Sequence, residues 1–180
     1  MRKVIFGGAC SLDGYFARED GGVDWLMWTE DVEAIMREMW PRFDTMVMGR
    51  RTWNFTVQAY SGKKSKGPKS SYTGMTTYVF SRTMPAGEVE GGAEVVNSDP
   101  GEFVRGLKQQ DGKDILIMGG GHLASALLEA GVIDAIGFNI QPVLLGSEIP
   151  LWHGLSRQIN LELKESRTLK GGCVYVTYRI

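Results

Sequence analysis

An apolar run of strand length, Ile115-Leu116-Ile117-Met118, ends in three consecutive glycines, Gly119-Gly120-Gly121. The helix-forming stretch His122-Leu123-Ala124-Ser125-Ala126-Leu127-Leu128 follows at once. Glycines at a strand-to-helix corner let backbone N–H groups approach a ligand closely. The N-terminus of the following helix adds partial positive charge, which suits phosphate. A second corner of this kind stands upstream, at Thr45-Met46-Val47-Met48-Gly49-Arg50-Arg51-Thr52-Trp53. Two such corners, one with adjacent arginines, are what a pyrophosphate-bridged dinucleotide requires.

The 180 residues fall within the range of one domain, and a hydrophobic content of 43% is enough for a real core. Twenty basic residues balance 21 acidic ones, so the chain has no global attraction for nucleic acid or an anionic membrane, and any anion site must be local. No apolar stretch approaches the roughly 20 residues of a bilayer span. Met1 to Phe6 runs directly into a strand-like segment without a signal-peptide pattern. The expectation is a soluble, cytoplasmic protein. Cys10 and Cys173 form no CxxC pair and read as buried thiols in a reducing compartment. His122 and His153 have no metal-ligand spacing, so no metal is expected.

Along the chain, Lys3 to Cys10 reads as a strand, ended by the turn Ser11-Leu12-Asp13-Gly14. Tyr15 to Ala17 is a short return segment. Thr29 is a helix N-cap, with Val32, Ile35, Met36 and Met39 at helical spacing and Pro41 at the end. Thr45 to Met48 is a strand, and Arg51 to Val57 a short helix. Residues 61–73, rich in Lys, Ser and Gly, read as a mobile surface loop. Strands are expected at Thr76–Phe80, Ala93–Val96, Ile115–Met118 and Ile133–Ile140. A helix capped by Ser98 or Asp99 ends near Asp111-Gly112, and another spans His122–Ala130, closed by Gly131. Pro142 to Leu155 is an apolar loop. Ile159–Thr168 and Val174–Ile180 alternate polar with apolar residues around Lys170-Gly171-Gly172, as an antiparallel hairpin does. Strand and helix alternate, then a hairpin closes the chain. This order predicts one α/β domain over 1–180 with a mostly parallel sheet and an antiparallel edge.

Five segments together resemble the dihydrofolate reductase-like superfamily, and more closely its branch related to the C-terminal reductase domain of the bacterial riboflavin-biosynthesis protein. They are Ser11-Leu12-Asp13-Gly14-Tyr15-Phe16-Ala17, Val47-Met48-Gly49-Arg50-Arg51-Thr52-Trp53, Val79-Phe80-Ser81-Arg82-Thr83, Ile117-Met118-Gly119-Gly120-Gly121 and residues 142–151, Pro-Val-Leu-Leu-Gly-Ser-Glu-Ile-Pro-Leu. The last is typical of the riboflavin-reductase branch. The resemblance implies an eight-stranded, mostly parallel sheet with helices on both faces. It also implies NADPH across the C-terminal edges of the strands, a cis peptide between the first two glycines, and dimers. Carried over by position, Gly49, Arg50, Arg51 and Thr52 would hold the cofactor phosphates. Ser81 and Arg82 would face the 2′-phosphate, favouring NADPH over NADH. Met118, Gly119, Gly120, Gly121, His122 and Leu123 would pass under the pyrophosphate and nicotinamide. The loop from Ser11 to Trp28 would cover the nicotinamide, bringing Ala9, Gly14, Tyr15 and Phe16 close to it.

Each of these residues also has a plainer reading. The three glycines alone would make a tight turn, and a Rossmann fingerprint would follow the first strand, not a late one. Adjacent arginines leaving a strand point in opposite directions, so one of Arg50 and Arg51 is expected to reach the phosphates. Ser81 with Arg82 joins a hydroxyl to a guanidinium, a good dianion site. For a catalytic acid, Asp31 and Glu33 are both candidates by position, and both also suit the first turn of a helix. Trp25 and Trp28 are candidates to stack on a flat substrate. Leu151, Trp152 and Leu155 are candidates for a homodimer interface. The expected activity is NADPH-dependent hydride transfer to a C=N or C=O of a planar heterocycle or ribosylamino-pyrimidine. Dihydrofolate reduction and a non-catalytic small-molecule binding module are the alternatives.

Overall fold

The computed structural model describes residues 1–61, 74–89 and 92–180. The expected loop at 61–73 lies outside these residues, save Ser61. The first strand, β1 (Val4–Ser11), lies inside the main sheet. It is followed by β2 (Tyr15–Ala17), α1 (Glu30–Met39), β3 (Phe43–Gly49), α2 (Arg50–Ser61), β4 (Thr76–Phe80), β5 (Gly87–Val89) and β6 (Ala93–Val96). Then come α3 (Pro100–Lys108), β7 (Asp114–Ile117), α4 (Gly121–Glu129), β8 (Ala135–Gln141), β9 (Ile149–Pro150), β10 (Glu162–Thr168) and β11 (Val174–Arg179). The main sheet has the order β10-β11-β8-β1-β7-β3-β4-β6-β5, and β2 pairs with β9 in a separate ribbon. Strands β8, β1, β7, β3, β4 and β6 run parallel, while β11, β10 and β5 are antiparallel to their neighbours. The eight expected strands of the sheet are present. The three-residue β5 adds an edge that is too short to show a period in the sequence.

Helices cover both faces because the buried strands carry apolar residues on both. On one face Phe6, Val47, Ile117 and Phe138 pack with Val104 and Leu107 of α3 and Leu123 and Leu127 of α4. On the other, Ile5, Met46, Met48 and Leu116 meet Met39 and Trp40, while Val32 and Ile35 of α1 pack on Cys173 and Tyr175. Helix α1 starts where expected: Thr29 Oγ1 accepts from the Val32 amide, a cap that contributes about 1 kcal/mol. Asp99 caps α3 through the Glu102 amide at 2.9 Å. Leu151 is buried and Trp152 packs against the Phe6 cluster, so the core takes two of the three residues expected at a dimer interface. Cys10 is buried, which pushes its thiol up to about 11 and leaves it inert at neutral pH. No helix among the described residues is long and apolar enough to cross a membrane.

Candidate active site

The two glycine corners meet. The Gly49 amide donates to the Gly119 carbonyl at 3.2 Å, and the Met118 amide donates to Val47 at 2.9 Å. Gly119 has φ 92°, a left-handed conformation that favours glycine, and the Gly119-Gly120 peptide is cis. A Cβ on Gly119 would stand 3.3 Å from Thr52 Oγ1 and 3.4 Å from the Phe16 ring. Gly121 has a different constraint. A Cβ there would come within 2.6 Å of the Leu151 carbonyl oxygen and 2.8 Å of that of Pro150. The third glycine is therefore required by the segment packed against α4.

From this junction a cleft of about 1210 Å³ opens across the C-terminal ends of the parallel strands. One half is cationic. Arg50, Arg51, Thr52, Ser81, Arg82 and His122 all line it. Both arginines can do so because they open a helix, where neighbours are turned by about 100° and not 180°. Arg50, Arg51 and Arg82 have no ion-pair partner among the described residues. Ser81 is buried, and its Oγ accepts from the Thr83 and Met84 amides at 3.1 and 2.9 Å. A third contact, at 3.5 Å, joins the Ser81 and Thr83 hydroxyls. The His122 and His153 rings stack, with centroids 3.6 Å apart and planes 18° from parallel. Partial burial, then the neighbouring His122 and Arg51, holds the His153 imidazole below its ordinary value.

The other half is apolar and lies beneath α1. Strand alternation puts Ile5, Gly7 and Ala9 of β1 on the face that α1 covers, in register with Ala135, Gly137 and Asn139 of β8. Val32, Ile35, Met36 and Met39 line the cleft from above. Space remains because Gly7 and Gly137 have no side chains. Trp28 and Glu33 stand at the rim, with Trp28 Nε1 donating to Glu33 Oε1 at 3.1 Å. The Glu33 side chain is 48% exposed and pairs with Arg37 at 3.5 Å.

Of the residues singled out in the sequence, Ala9, Phe16, Met118, Gly120, Gly121 and Leu123 also line the cleft. Gly119 sits behind the wall at the junction. Four positions stand elsewhere. The Asp31 carboxylate accepts from the Lys170 amide at 2.8 Å, on the turn between β10 and β11, so it is turned away from the cleft. Trp25 does not line the cleft, and its indole nitrogen is buried without a hydrogen-bond partner among the described residues. Gly14 and Tyr15 build the β2–β9 ribbon instead: the Gly14 carbonyl accepts from Leu151 at 2.8 Å, and Tyr15 pairs with Pro150. Asp13 explains why the first and last resembling segments go together, since its carboxylate accepts from the Leu145 and Gly146 amides, at 3.0 and 2.8 Å.

Sequence reasoning missed Gly7, Gly137, Asn139, Glu148, His153 and Tyr175, all of which line the cleft. The available signal was glycine inside a strand, which marks close approach of another group. The carboxylate of Glu148 accepts from the Glu19 amide and lies 4.0 Å from Arg18, so it holds the covering loop.

The family model for the RibD C-terminal domain matches residues 2–175. The chain belongs to that family. This RibD-type domain is similar to uncharacterized protein YwjB of Bacillus subtilis (strain 168), with 33% identity over 167 residues, covering 92% of this chain and 91% of that protein. Among solved structures it is similar to a putative riboflavin biosynthesis protein from Shewanella sp. PV-4, with a TM-score of 0.77 and 26% identity over 99% of this chain and 98% of that one. It is also similar to a dihydrofolate reductase from Enterococcus faecalis complexed with NADP(H) and RAB-propyl, with a TM-score of 0.67 and 16% identity over 98% and 95% of the two chains. The RibD-type sheet is thus a dihydrofolate reductase-like fold.

Proposed function

We propose that the domain is an NADPH-dependent reductase that passes hydride to a C=N or C=O carbon of a small planar heterocycle or ribosylamino-pyrimidine. One observation carries this reading: two glycine corners join at the mouth of a single cleft that is cationic at one end and apolar at the other. The residues present fit the cofactor. Three arginines without ion-pair partners among the described residues match its phosphates, and the glycine corners let backbone approach them. NADPH, when bound, supplies the hydride. The chain supplies orientation and excludes water. Arg50, Arg51 and Thr52 hold the pyrophosphate, Ser81 and Arg82 receive the 2′-phosphate, and Ala9 and Phe16 border the nicotinamide end. Trp28 flanks the substrate at the rim.

Proton delivery is assigned to Glu33 at the solvent rim, because Asp31 is turned away. Glu33→Gln is expected to lower kcat about a hundredfold with NADPH affinity unchanged, and Asp31→Asn to leave kcat within about twofold of wild type. Steady-state kinetics on both variants decides between them. The pyrimidine branch is preferred to dihydrofolate because α1 presents Val32, Ile35 and Met36 to the cleft. The resemblance to dihydrofolate reductases would put a buried carboxylate there.

The direct test is titration of NADPH fluorescence with purified protein, where saturable binding is expected. No binding at millimolar cofactor ends the reading. Binding without oxidation by any of a panel of carbonyl and imine compounds leaves a binding module.

The stacked histidines make this affinity depend on pH. His153 is neutral at pH 7 because its value is lowered, and a bound phosphate stabilises the protonated form. Binding therefore takes up a proton, and NADPH affinity is expected to rise as pH falls through the range below the ordinary imidazole value. The cofactor's own phosphate titrates equally in a His153→Gln variant, so the difference between the two pH profiles isolates the histidine.

A further inference from the structure

Asn139 is 8% exposed, lines the cleft beneath α1, and its Oδ1 has no hydrogen-bond partner among the described residues. Leaving a buried amide oxygen unpaired is costly, and native chains keep such groups rarely, often where function uses them. Its strand neighbours and the α1 side chains above it offer no free donor. In register beside it are Ala9 on β1 and Tyr175 on β11. The Tyr175 hydroxyl donates instead to Met39 Sδ at 2.7 Å. Above lie Val32, Ile35, Met36 and Met39, which have no N–H or O–H to offer from their side chains.

The floor beside Asn139 is kept empty by two glycines. A Cβ on Gly7 would stand 3.2 Å from the Gly137 carbonyl, and one on Gly137 would stand 3.6 Å from the Tyr175 hydroxyl. A flat ring lying on this bare backbone would have its edge against Asn139. The charge of the pocket narrows the choice of ring. Among the described residues only two carboxylates line the cleft, Glu33 and Glu148, and each already accepts a hydrogen bond. The buried acceptor is therefore neutral. It suits an uncharged lactam-type N–H rather than a protonated ring, which would call for a carboxylate partner.

We propose that Asn139 is the specificity-determining residue of the apolar half of the cleft. Its Oδ1 accepts from an in-plane N–H of an uncharged heterocycle, so the pocket rejects analogues alkylated at that nitrogen. The proposal rests on the reductase reading, because it places the substrate ring beneath α1.

The test pairs a protein change with a ligand change. With NADP⁺ saturating, the affinities of uracil and 1,3-dimethyluracil are measured by tryptophan fluorescence for wild type, Asn139→Ala and Asn139→Asp. Wild type is expected to prefer the N–H compound by about tenfold or more. Asn139→Ala is expected to lose that preference by weakening the N–H compound alone, while Asn139→Asp, which keeps an acceptor, retains it. A purely structural role would weaken both compounds together in Asn139→Ala. That result, an unchanged preference in Asn139→Ala, loss of preference in Asn139→Asp, or a wild type that holds the two compounds equally or neither, overturns the assignment. NADPH binding is titrated in the same samples and is expected to be unchanged in both variants. Its absence from wild type sinks the reductase reading itself, whereas normal NADPH binding with any of the overturning results sinks Asn139 alone.

Discussion

Gly121→Ala is expected to disable the cleft and destabilise the fold together. The added methyl meets the carbonyl oxygens of Leu151 and Pro150, and backbone of a paired segment cannot rotate aside as a side chain would. Overpacking of this kind costs about 3 kcal/mol. In a chain of this length that corresponds to a fall in Tm of roughly 6–12 °C. The strain is relieved only by moving the start of α4 or the β9 segment. Either movement displaces a wall of the cleft, so NADPH affinity is expected to drop by about tenfold or more. Gly106→Ala is the control. It lies in α3 with open space around its Cβ position, and it should stabilise the protein by about 0.5–1 kcal/mol without touching NADPH binding. Thermal unfolding and fluorescence titration of the two variants check both halves of this expectation.

Arg82→Ala is expected to reduce NADPH affinity by roughly tenfold to a hundredfold and leave NADH affinity unchanged. The range follows from one or two charge-assisted hydrogen bonds to a phosphate. Arg82 is exposed, so the loss should shrink as salt is raised. Ser81→Ala should have a different signature. Its Oγ anchors the Thr83 and Met84 amides, so the turn that carries Arg82 loosens as well. Affinity measurements for the two cofactors at low and high salt separate the roles. Equal losses for NADPH and NADH in Arg82→Ala would remove the 2′-phosphate assignment.

The corners were legible in the sequence because glycine punctuates a strand-to-helix passage, and Thr29 and Asp99 were legible because caps are local chemistry. The choice between Asp31 and Glu33 was not. The two are about 200° apart around a helix, so one must turn from the cleft if the other faces it. Which one does so is set by how α1 sits over Gly7 and Gly137, on strands far away in sequence. Asn139 was hidden for a similar reason. A polar residue alternating with Phe138 and Ile140 reads as the outward face of a strand, and only the helix placed over it makes it interior. The return segment Tyr15 to Ala17 was legible as β2, but its partner β9 was not, because a two-residue strand has no period to detect.

Strand β1 pairs with residues that arrive much later in the chain, at Ile115 on one side and Ala135 on the other. Ribosomal synthesis thus delivers β1 well before either strand that pairs with it. A nascent polypeptide stopped before β8 has neither Asn139 nor the ribbon that Gly14 closes with Leu151. Topology of this kind folds slowly, since distant segments must close large loops before any pairing rewards them. The cleft is accordingly completed among the final events of maturation, and a prematurely terminated product would leave β1 with one edge unpaired.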